Sequence, residues 1–496
     1  MAVSPTLGTG LFNGAGQALA TGGPASLLIS YIFLSLLAYF MVTTAAEVAT
    51  HTPSRNAWEV AAGFLRWYAL VMFVPYEITT AVVNLGMWNP GSAIAGQLSI
   101  ITAVVVGYNF IPERLSGSFE KLLTRIKIGT MASLLVLSIS IAMGGATGHD
   151  KWGFQYWKRP GAMREYLVKG AMGKVLGLLQ CLLTSSVAFV LAPEMIVQRA
   201  ESPPKHRSGL PQRVTIDVAT TIVPYILSSL AMGLMVPYND PLLTNNGTGA
   251  GLAPFVIGLN MAKVRIVPVI ATVSIVFSSV VSGQSFLFTA SHVLVAMSEY
   301  GHGPKFFQLR NRHGIRYVAV TVSALPALLA FMSLAVSSSA VSNYFLLFLN
   351  SSGFMSWLIT ASVYHHYRRE MKLRGITRAY RFDIQPFGTY FGLAASAAMI
   401  VANGITGALP GSRAETRVGR LLAAYITLPM FSLVYLFHRF GDVITYRNQE
   451  SEEHTGDSGS DNLTDQPPRE RSPVNGRSDS LSALEMDQIW SLAREA

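Results

Sequence analysis

The stretch Thr6-Leu7-Gly8-Thr9-Gly10-Leu11-Phe12 decides how this chain reads. It lies in an apolar segment that carries no Lys, Arg, Asp or Glu before Glu47. Glycine weakens a helix interior, because it surrenders much backbone freedom and packs nothing in return. Gly-Thr-Gly in such a segment therefore predicts a membrane helix interrupted within the bilayer. Main chain released from a helix persists at that depth only where it faces protein or a watery cavity. Paired interruptions of this kind build solute sites near the bilayer midplane.

The composition fixes the setting. Of 496 residues, 50% are hydrophobic and only 13% are charged, against about one quarter charged in a soluble domain. The chain reads as an all-α polytopic membrane protein. One cysteine, Cys181, excludes an intrachain disulfide and a thiolate metal cluster. The formal charge of +10 conceals two regions. From Arg447 onward five Lys/Arg face eleven Asp/Glu, so the remainder carries the basic excess. Those basic residues sit in short loops between apolar segments, which is the pattern of membrane orientation and not of nucleic-acid binding. The first positive charge is Arg55, so no cleavable signal peptide is predicted. The chain is expected to start partway into its first helix, as an N-terminally truncated product.

A spanning helix needs about 20 apolar residues. About 12 transmembrane helices are expected, over 1–20, 25–46, 60–87, 93–111, 126–146, 171–197, 214–236, 266–298, 317–337, 342–366, 387–408 and 418–438. With the first starting in the cytoplasm, the inward loops carry Arg55; Arg114, Lys121 and Arg125; Arg199, Lys205, Arg207 and Arg213; Lys305, Arg310, Arg312 and Arg316; and a dense set from Arg368 to Arg381. The outward loops carry fewer, except 147–170 with Lys151, Lys158, Arg159, Arg164 and Lys169. Both termini are thus expected in the cytoplasm. A transmembrane domain over 1–440 and a disordered tail over 441–496, rich in Ser, Asp, Glu and Asn, complete the organisation. The tail reads first as solvated; the alternative is a docking site, for a trafficking or ubiquitin-ligase adaptor, with Leu481, Leu484 and Trp490 near one helix face.

Five stretches in order carry a resemblance. They are 6–12 with Gly14, Gly16 and Gly22-Gly23-Pro24; Pro75-Tyr76-Glu77-Ile78 with Trp88; Phe189 through Pro193-Glu194 to Glu201-Ser202-Pro203; Ser282-Gly283-Gln284-Ser285 to Gly303-Pro304-Lys305-Phe306; and Asn350-Ser351-Ser352-Gly353 through Trp357 to Tyr367-Arg368-Arg369. Together the chain resembles the fungal amino acid permeases of the amino acid–polyamine–organocation superfamily. The resemblance implies a five-plus-five inverted repeat with two extra helices, like the leucine transporter, with helices 1 and 6 broken. It implies a secondary active transporter of amino acids in the plasma membrane, working by proton symport, with membrane lipid around it. Neither a cofactor nor a metal is implied, and no catalytic motif is present.

Carried over position by position, Thr6, Gly8, Thr9 and Gly10 offer N–H groups and a hydroxyl to a substrate carboxylate. The competing reading is a glycine face for close helix packing. Ser185, Ser186, Phe189, Ala192 and Pro193 line the sixth-helix break, with Phe189 either closing over the substrate or packing plainly. A carboxylate in the bilayer is expensive unless paired or wet, which marks it as functional by default. Glu77 and Glu194 are therefore candidates for proton coupling. Their bland counterparts are a static ion pair with Arg66 or Lys127 and a helix cap. Lys127 is either the basic residue that replaces a sodium ion between helices 1 and 8, or a snorkelling side chain. Asn350, Ser351 and Ser352 either line the pathway or bond neighbouring helices. Glu47 has an interfacial structural role, and His292 stands where the family has arginine. Two other readings compete for the whole chain: a non-transporting amino acid sensor that signals through its tail, and a polyamine or choline permease of the same superfamily.

The loop charges and the sequon Asn246-Gly247-Thr248 test the topology together. A tag after Ala496 is expected to be reached by antibody only in permeabilised cells. Asn246→Gln is expected to abolish a glycan mass shift in the expressed protein. A tag reachable on intact cells would reverse the assignment.

Overall fold

The computed structural model describes residues 10–48, 57–88, 93–145, 153–193, 210–244, 251, 253–262, 266–312, 314–373, 382–408 and 414–439. Thr6, Gly8, Thr9, Glu194, Asn246 and the tail lie outside these residues.

The apolar segments become helices. They are α1 (Gly10–Val48), α2 (Ala57–Trp88), α3 (Ile94–Tyr108), α4 (Glu113–Ala142), α5 (Ala171–Ser186), α6 (Leu210–Met235), α7 (Pro254–Met261), α8 (Val267–Glu299), α9 (Tyr317–Leu334), α10 (Ser338–Leu373), α11 (Phe387–Ala408) and α12 (Ala414–Tyr425), followed by α13 (Thr427–Arg439). Among the described residues eight helices are long and apolar enough to cross a bilayer, and nine with α12 and α13 taken as one span bent by 40°. α3 is apolar but spans 15 residues. Length and composition thus support a polytopic helical protein without fixing the count at twelve.

α1 contains two of the expected segments. Its 39 residues extend ~58 Å as straight helix, about twice the hydrocarbon thickness. The path breaks at Gly23, with φ 84° and ψ 173°, just before Pro24. A side chain there is strained by the positive φ, and a Cβ would stand 2.9 Å from Ala162 O. The two arms, 10–22 and 24–48, both lie along α5. Gly10 and Gly22 approach Ala188 and Cys181 respectively. On the returning arm, Tyr31 meets Phe189 with ring centroids 5.5 Å apart. The first arm runs from Ala188 at Gly10 to Cys181 at Gly22, and the second from Cys181 at Ser30 to Ala192 at Val42 and Ala46, so the arms run antiparallel.

Polar side chains stitch the helices where no water competes. Trp67 Nε1 donates to Ser323 Oγ at 3.0 Å, joining α2 to α9. Gln385 Nε2 donates to Phe40 O and Thr43 Oγ1 at 3.1 and 2.8 Å, fixing the start of α11 to α1. Glu47 is fully buried and its Oε1 accepts the Phe382 N–H at 2.8 Å. That is the structural role its place near a helix end suggests.

Glycine sets the closest helix spacing. A methyl at Gly353 on α10 collides with the Val190 side chain, whereas one at Gly129 on α4 meets nothing within 4 Å. Gly353→Ala is expected to destabilise the detergent-solubilised protein by about 1–3 kcal/mol, the usual range for overpacking. Gly129→Ala is expected to be neutral or stabilising by up to ~1 kcal/mol. Thermal unfolding of the two variants checks both signs.

Candidate functional site

α5 unwinds where the sequence places its break. The helix ends at Ser186, and 187–191 form turns before the chain becomes helical again at Ala192 and Pro193. Bonds over three residues predominate: Ala188 N to Ser185 O at 3.2 Å, Phe189 N to Ser186 O at 2.8 Å and Ala192 N to Phe189 O at 2.9 Å, beside one four-residue bond from Val190 N to Ser186 O at 3.0 Å. Gly10 lies against this turn. A Cβ on Gly10 would be 2.9 Å from Ala188 Cα and 3.0 Å from its N, so the two main chains touch. Residues 10–14 form a π-helical turn, wider than an α-turn and fully buried.

The directions of the two helices matter as much as their contact. Arm 10–22 runs antiparallel to α5, so its lower-numbered side, at Gly10, faces the turn where α5 ends with its carbonyls. Helix N-termini are partly positive and C-termini partly negative. At this place the carbonyl end of α5 meets the Gly10 main chain.

The glycines of the first arm also pack closely along α5. Gly14 faces Thr184 O and Val187 at 3.5 Å, and Gly22 faces Gly177 O at 2.9 Å. The close-packing reading of this motif therefore holds for Gly10, Gly14 and Gly22, and at Gly10 it coincides with the break.

Around the turn, Ser185 and Ser186 are fully buried, and Phe189 and Pro193 are buried. Ser186 Oγ donates to Leu183 O at 2.8 Å and to Asn350 Oδ1 at 2.7 Å. Ser185 and Ser30 lie beside the buried Cys181 thiol. Phe189 completes an aromatic trio, its ring 5.5 Å from Tyr31 and 5.1 Å from Tyr225, both edge-on. Ala192 lies apart from the trio, packed with Val42, Ala46 and Val214.

α10 splints the unwound segment. Trp357 Nε1 donates to Val190 O at 2.8 Å. Asn350 Nδ2 donates to Leu183 O at 2.7 Å. Ser351 Oγ donates to Ala424 O on α12, and Ser352 Oγ donates to Leu349 O on its own helix at 3.1 Å. The polar run 350–352 thus serves hydrogen bonding within and between helices. Asn403 joins the network, donating to Leu347 O at 3.1 Å.

Glu77 and Lys127 come together. Both are buried. Lys127 Nζ donates to Ser282 Oγ on α8, and the Glu77 carboxylate lies within electrostatic reach of that ammonium. Lys127 therefore points into the bundle and does not snorkel. A Cβ at Gly283 would sit 3.5 Å from the Glu77 Cβ, so this glycine lets α8 approach α2. Glu77 also acts electrostatically on Tyr225, which touches Phe189. The acid, the amine and the broken helix form one continuous buried region. His292 stands apart from it, Nδ1 on its own helix's Phe288 O at 2.9 Å.

Sequence reasoning missed several members. Asn13 Nδ2 donates to Gly251 O at 2.8 Å, and Asn84 Nδ2 donates to Asn13 Oδ1 at 3.0 Å. These, with Asn403, Tyr31 and Tyr225, are lone polar groups in apolar runs. That is the signal available, and it does not name a partner.

With the geometry described, comparison with known proteins defines first the class. The fold is similar to that of a manganese transporter from Eremococcus coleocola, solved as a point mutant, with a TM-score of 0.51, 15% identity and coverage of 87% of this chain and 92% of that one. The likeness is one of fold, and it places the described helices in the leucine-transporter-like architecture that the resemblance implied. The particular family follows from the sequence: residues 1–442 match the amino acid permease family, to which this chain belongs. A Schizosaccharomyces pombe relative named "Probable proline-specific permease put4" is 33% identical over 87% of this chain and 81% of its own length. The proline-specific permease of Emericella nidulans is 29% identical over 88% and 83%. The dicarboxylic amino acid permease of Saccharomyces cerevisiae is 28% identical over 96% and 82%. The protein is an integral membrane transporter of amino acids and not an enzyme.

Trp357→Phe keeps the ring but leaves the Val190 carbonyl without its donor. A buried group orphaned in this way costs about 1–3 kcal/mol. The variant is expected to unfold at lower temperature and to carry substrate with a reduced maximal rate. Unchanged stability in the solubilised protein would show that Val190 finds another donor.

Proposed function

We propose that the chain imports amino acids across a fungal plasma membrane by proton symport, binding the zwitterion where arm 10–22 meets the turn 187–191. The observation that supports this is the main-chain contact of Gly10 with Ala188, just past the end of α5 at Ser186. A substrate with carboxylate and ammonium on one carbon needs a positive and a negative pole a few ångströms apart. Backbone N–H groups at a helix start suit the carboxylate, and carbonyls at a helix end suit the ammonium. Thr6, Gly8 and Thr9, with Gly10, supply the first pole; Ser185, Ser186 and the turn supply the second. Phe189, Ala192 and Pro193 shape the side-chain end.

In this reading Glu77 and Lys127 carry the coupling, with Glu194 as a second proton acceptor. A buried acid and amine share charge in a way that one added proton upsets, and Ser282 ties that pair to α8. Inward proton movement supplies about 2.3 kcal/mol per charge for each 100 mV of membrane potential, enough to drive accumulation. The names of the relatives make proline the first substrate to test, with neutral and dicarboxylic amino acids beside it. The acidic tail is the place for adaptor docking from the cytoplasm.

The test is uptake of labelled amino acids by cells that lack their own permeases, over a series of external pH values. Uptake is expected to rise as external pH falls and to collapse with a protonophore. Glu77→Gln is expected to lower uptake and flatten its dependence on pH. No uptake of any of the twenty, with the protein present at the cell surface, would remove the transport mechanism proposed here. Uptake indifferent to both pH and protonophore would remove the proton.

A further inference from the structure

The stretch 147–170 carries basic residues on the side of the membrane where the loop charges are otherwise sparse, and the site above uses none of them. The structure gives Arg164 a definite place. Its backbone N–H donates to Gly22 O at 2.9 Å, and Ala25 N–H donates to Ala162 O at 2.9 Å. Its guanidinium donates to Ala20 O. The last carbonyls of a helix lack intrahelical partners, and a cation there is favourable. Arg164 therefore caps the carbonyl end of arm 10–22. Its guanidinium carbon also lies 5.8 Å from the centre of the Tyr238 ring.

Beside these tie-points lies an open hollow of about 670 Å³, walled by residues 160–165, Lys174 and Tyr238. Ligand pockets for small molecules span roughly 300–1,000 Å³, so an amino acid has ample room. Arg164 is half-buried, and Lys174 and Glu165 are exposed. Neither Arg164 nor Lys174 makes an ion pair with a carboxylate among the described residues. Lys158 and Arg159 stand exposed at the same end. The neighbouring acid, Asp240, is engaged elsewhere: its Oδ1 accepts the Leu242 N–H at 2.9 Å. That carboxylate, after burial, also raises the Tyr156 phenol above its ordinary range. The hollow is thus lined by two cations and one carboxylate.

We infer that this hollow is an outer docking site for amino acid zwitterions, with Arg164 and Lys174 on the carboxylate and Glu165 on the ammonium. The inference rests on the transport reading for its ligand and adds a second, external station to it. Its place fits that role. It abuts the Gly22-Gly23 elbow, at one end of the arm whose other end meets the substrate break.

A thiol placed in the hollow tests this without relying on transport. Cys181 is fully buried, so Met163→Cys supplies the accessible thiol and keeps Arg164, Glu165 and Lys174. The full-length protein is reacted with anionic and cationic methanethiosulfonate reagents of similar size, with and without proline or glycine. The anionic reagent is expected to react about 3-fold or more faster at low salt, since lined clefts concentrate opposite charge, and added amino acid is expected to slow it. Lys174→Glu in the same background is expected to reverse the reagent preference and remove the protection. Equal reagent rates, or protection that survives Lys174→Glu, would overturn the outer site. Uptake by the unmodified chain with no protection of the thiol leaves transport intact and removes the docking site. Protection without uptake keeps the site and removes the transport reading.

Discussion

The contact between Gly10 and Ala188 is the constraint on which the rest of the structure depends. It is main chain against main chain, and a single methyl group on Gly10 would meet Ala188 Cα at 2.9 Å. In a bilayer an unwound segment has no water to satisfy it, so its polar groups must find partners inside the protein. The turn at 187–191 finds some through bonds over three residues and others on α10. This explains why α10 carries Asn350, Gly353 and Trp357 on the stretch that faces α5. One supplies an amide, one supplies clearance and one supplies an N–H, all to the same few residues of α5 and its turn.

That dependence extends outward in two directions. Through Asn350 and Ser351 the turn is joined to Asn403 on α11 and to Ala424 on α12. Through Phe189 it is joined to Tyr225, and Tyr225 lies in the field of Glu77. The first connection is a set of directional hydrogen bonds between rigid helices. The second is ring packing that ends at a charge. The Glu77 and Lys127 pair and the unwound segment thus lie in one packed, buried region, with Phe189 in contact with both Tyr31 and Tyr225.

Much of this was legible in the sequence, and the limits have a physical cause. Apolar length located the helices, because the bilayer allows few alternatives. Gly-Thr-Gly and the Phe189–Pro193 stretch were read as departures from helix, and the second is described at 187–191. Of the first only Gly10 is among the described residues, in a π-helical turn over 10–14. The direction of Lys127 was not readable, since a lysine near a helix end can reach either headgroups or core. The packing around it decides, and Ser282 with Glu77 draws it inward. Asn13, Asn84 and Asn403 show the same limit. An amide in an apolar run announces a need for partners, but those partners lie 71 residues away or more in the chain for the Asn13 pair alone. The turn at Gly23 was legible as well: Gly-Gly-Pro falls between the spans expected over 1–20 and 25–46, and the structure breaks the helix there.

The orientation of arm 10–22 finally connects the capped elbow to the broken helix. The arm is about 20 Å long at 1.5 Å per residue. Its carbonyl end is held by Arg164 through Ala20 O and Gly22 O, and Gly10 rests on Ala188. A cation on the carbonyl end neutralises the negative pole of the helix where it points away from the break. Arm 10–22 itself contains no charged side chain. Of the basic residues of 147–170, Arg164 thus has a local reason for its place: it stabilises a helix end.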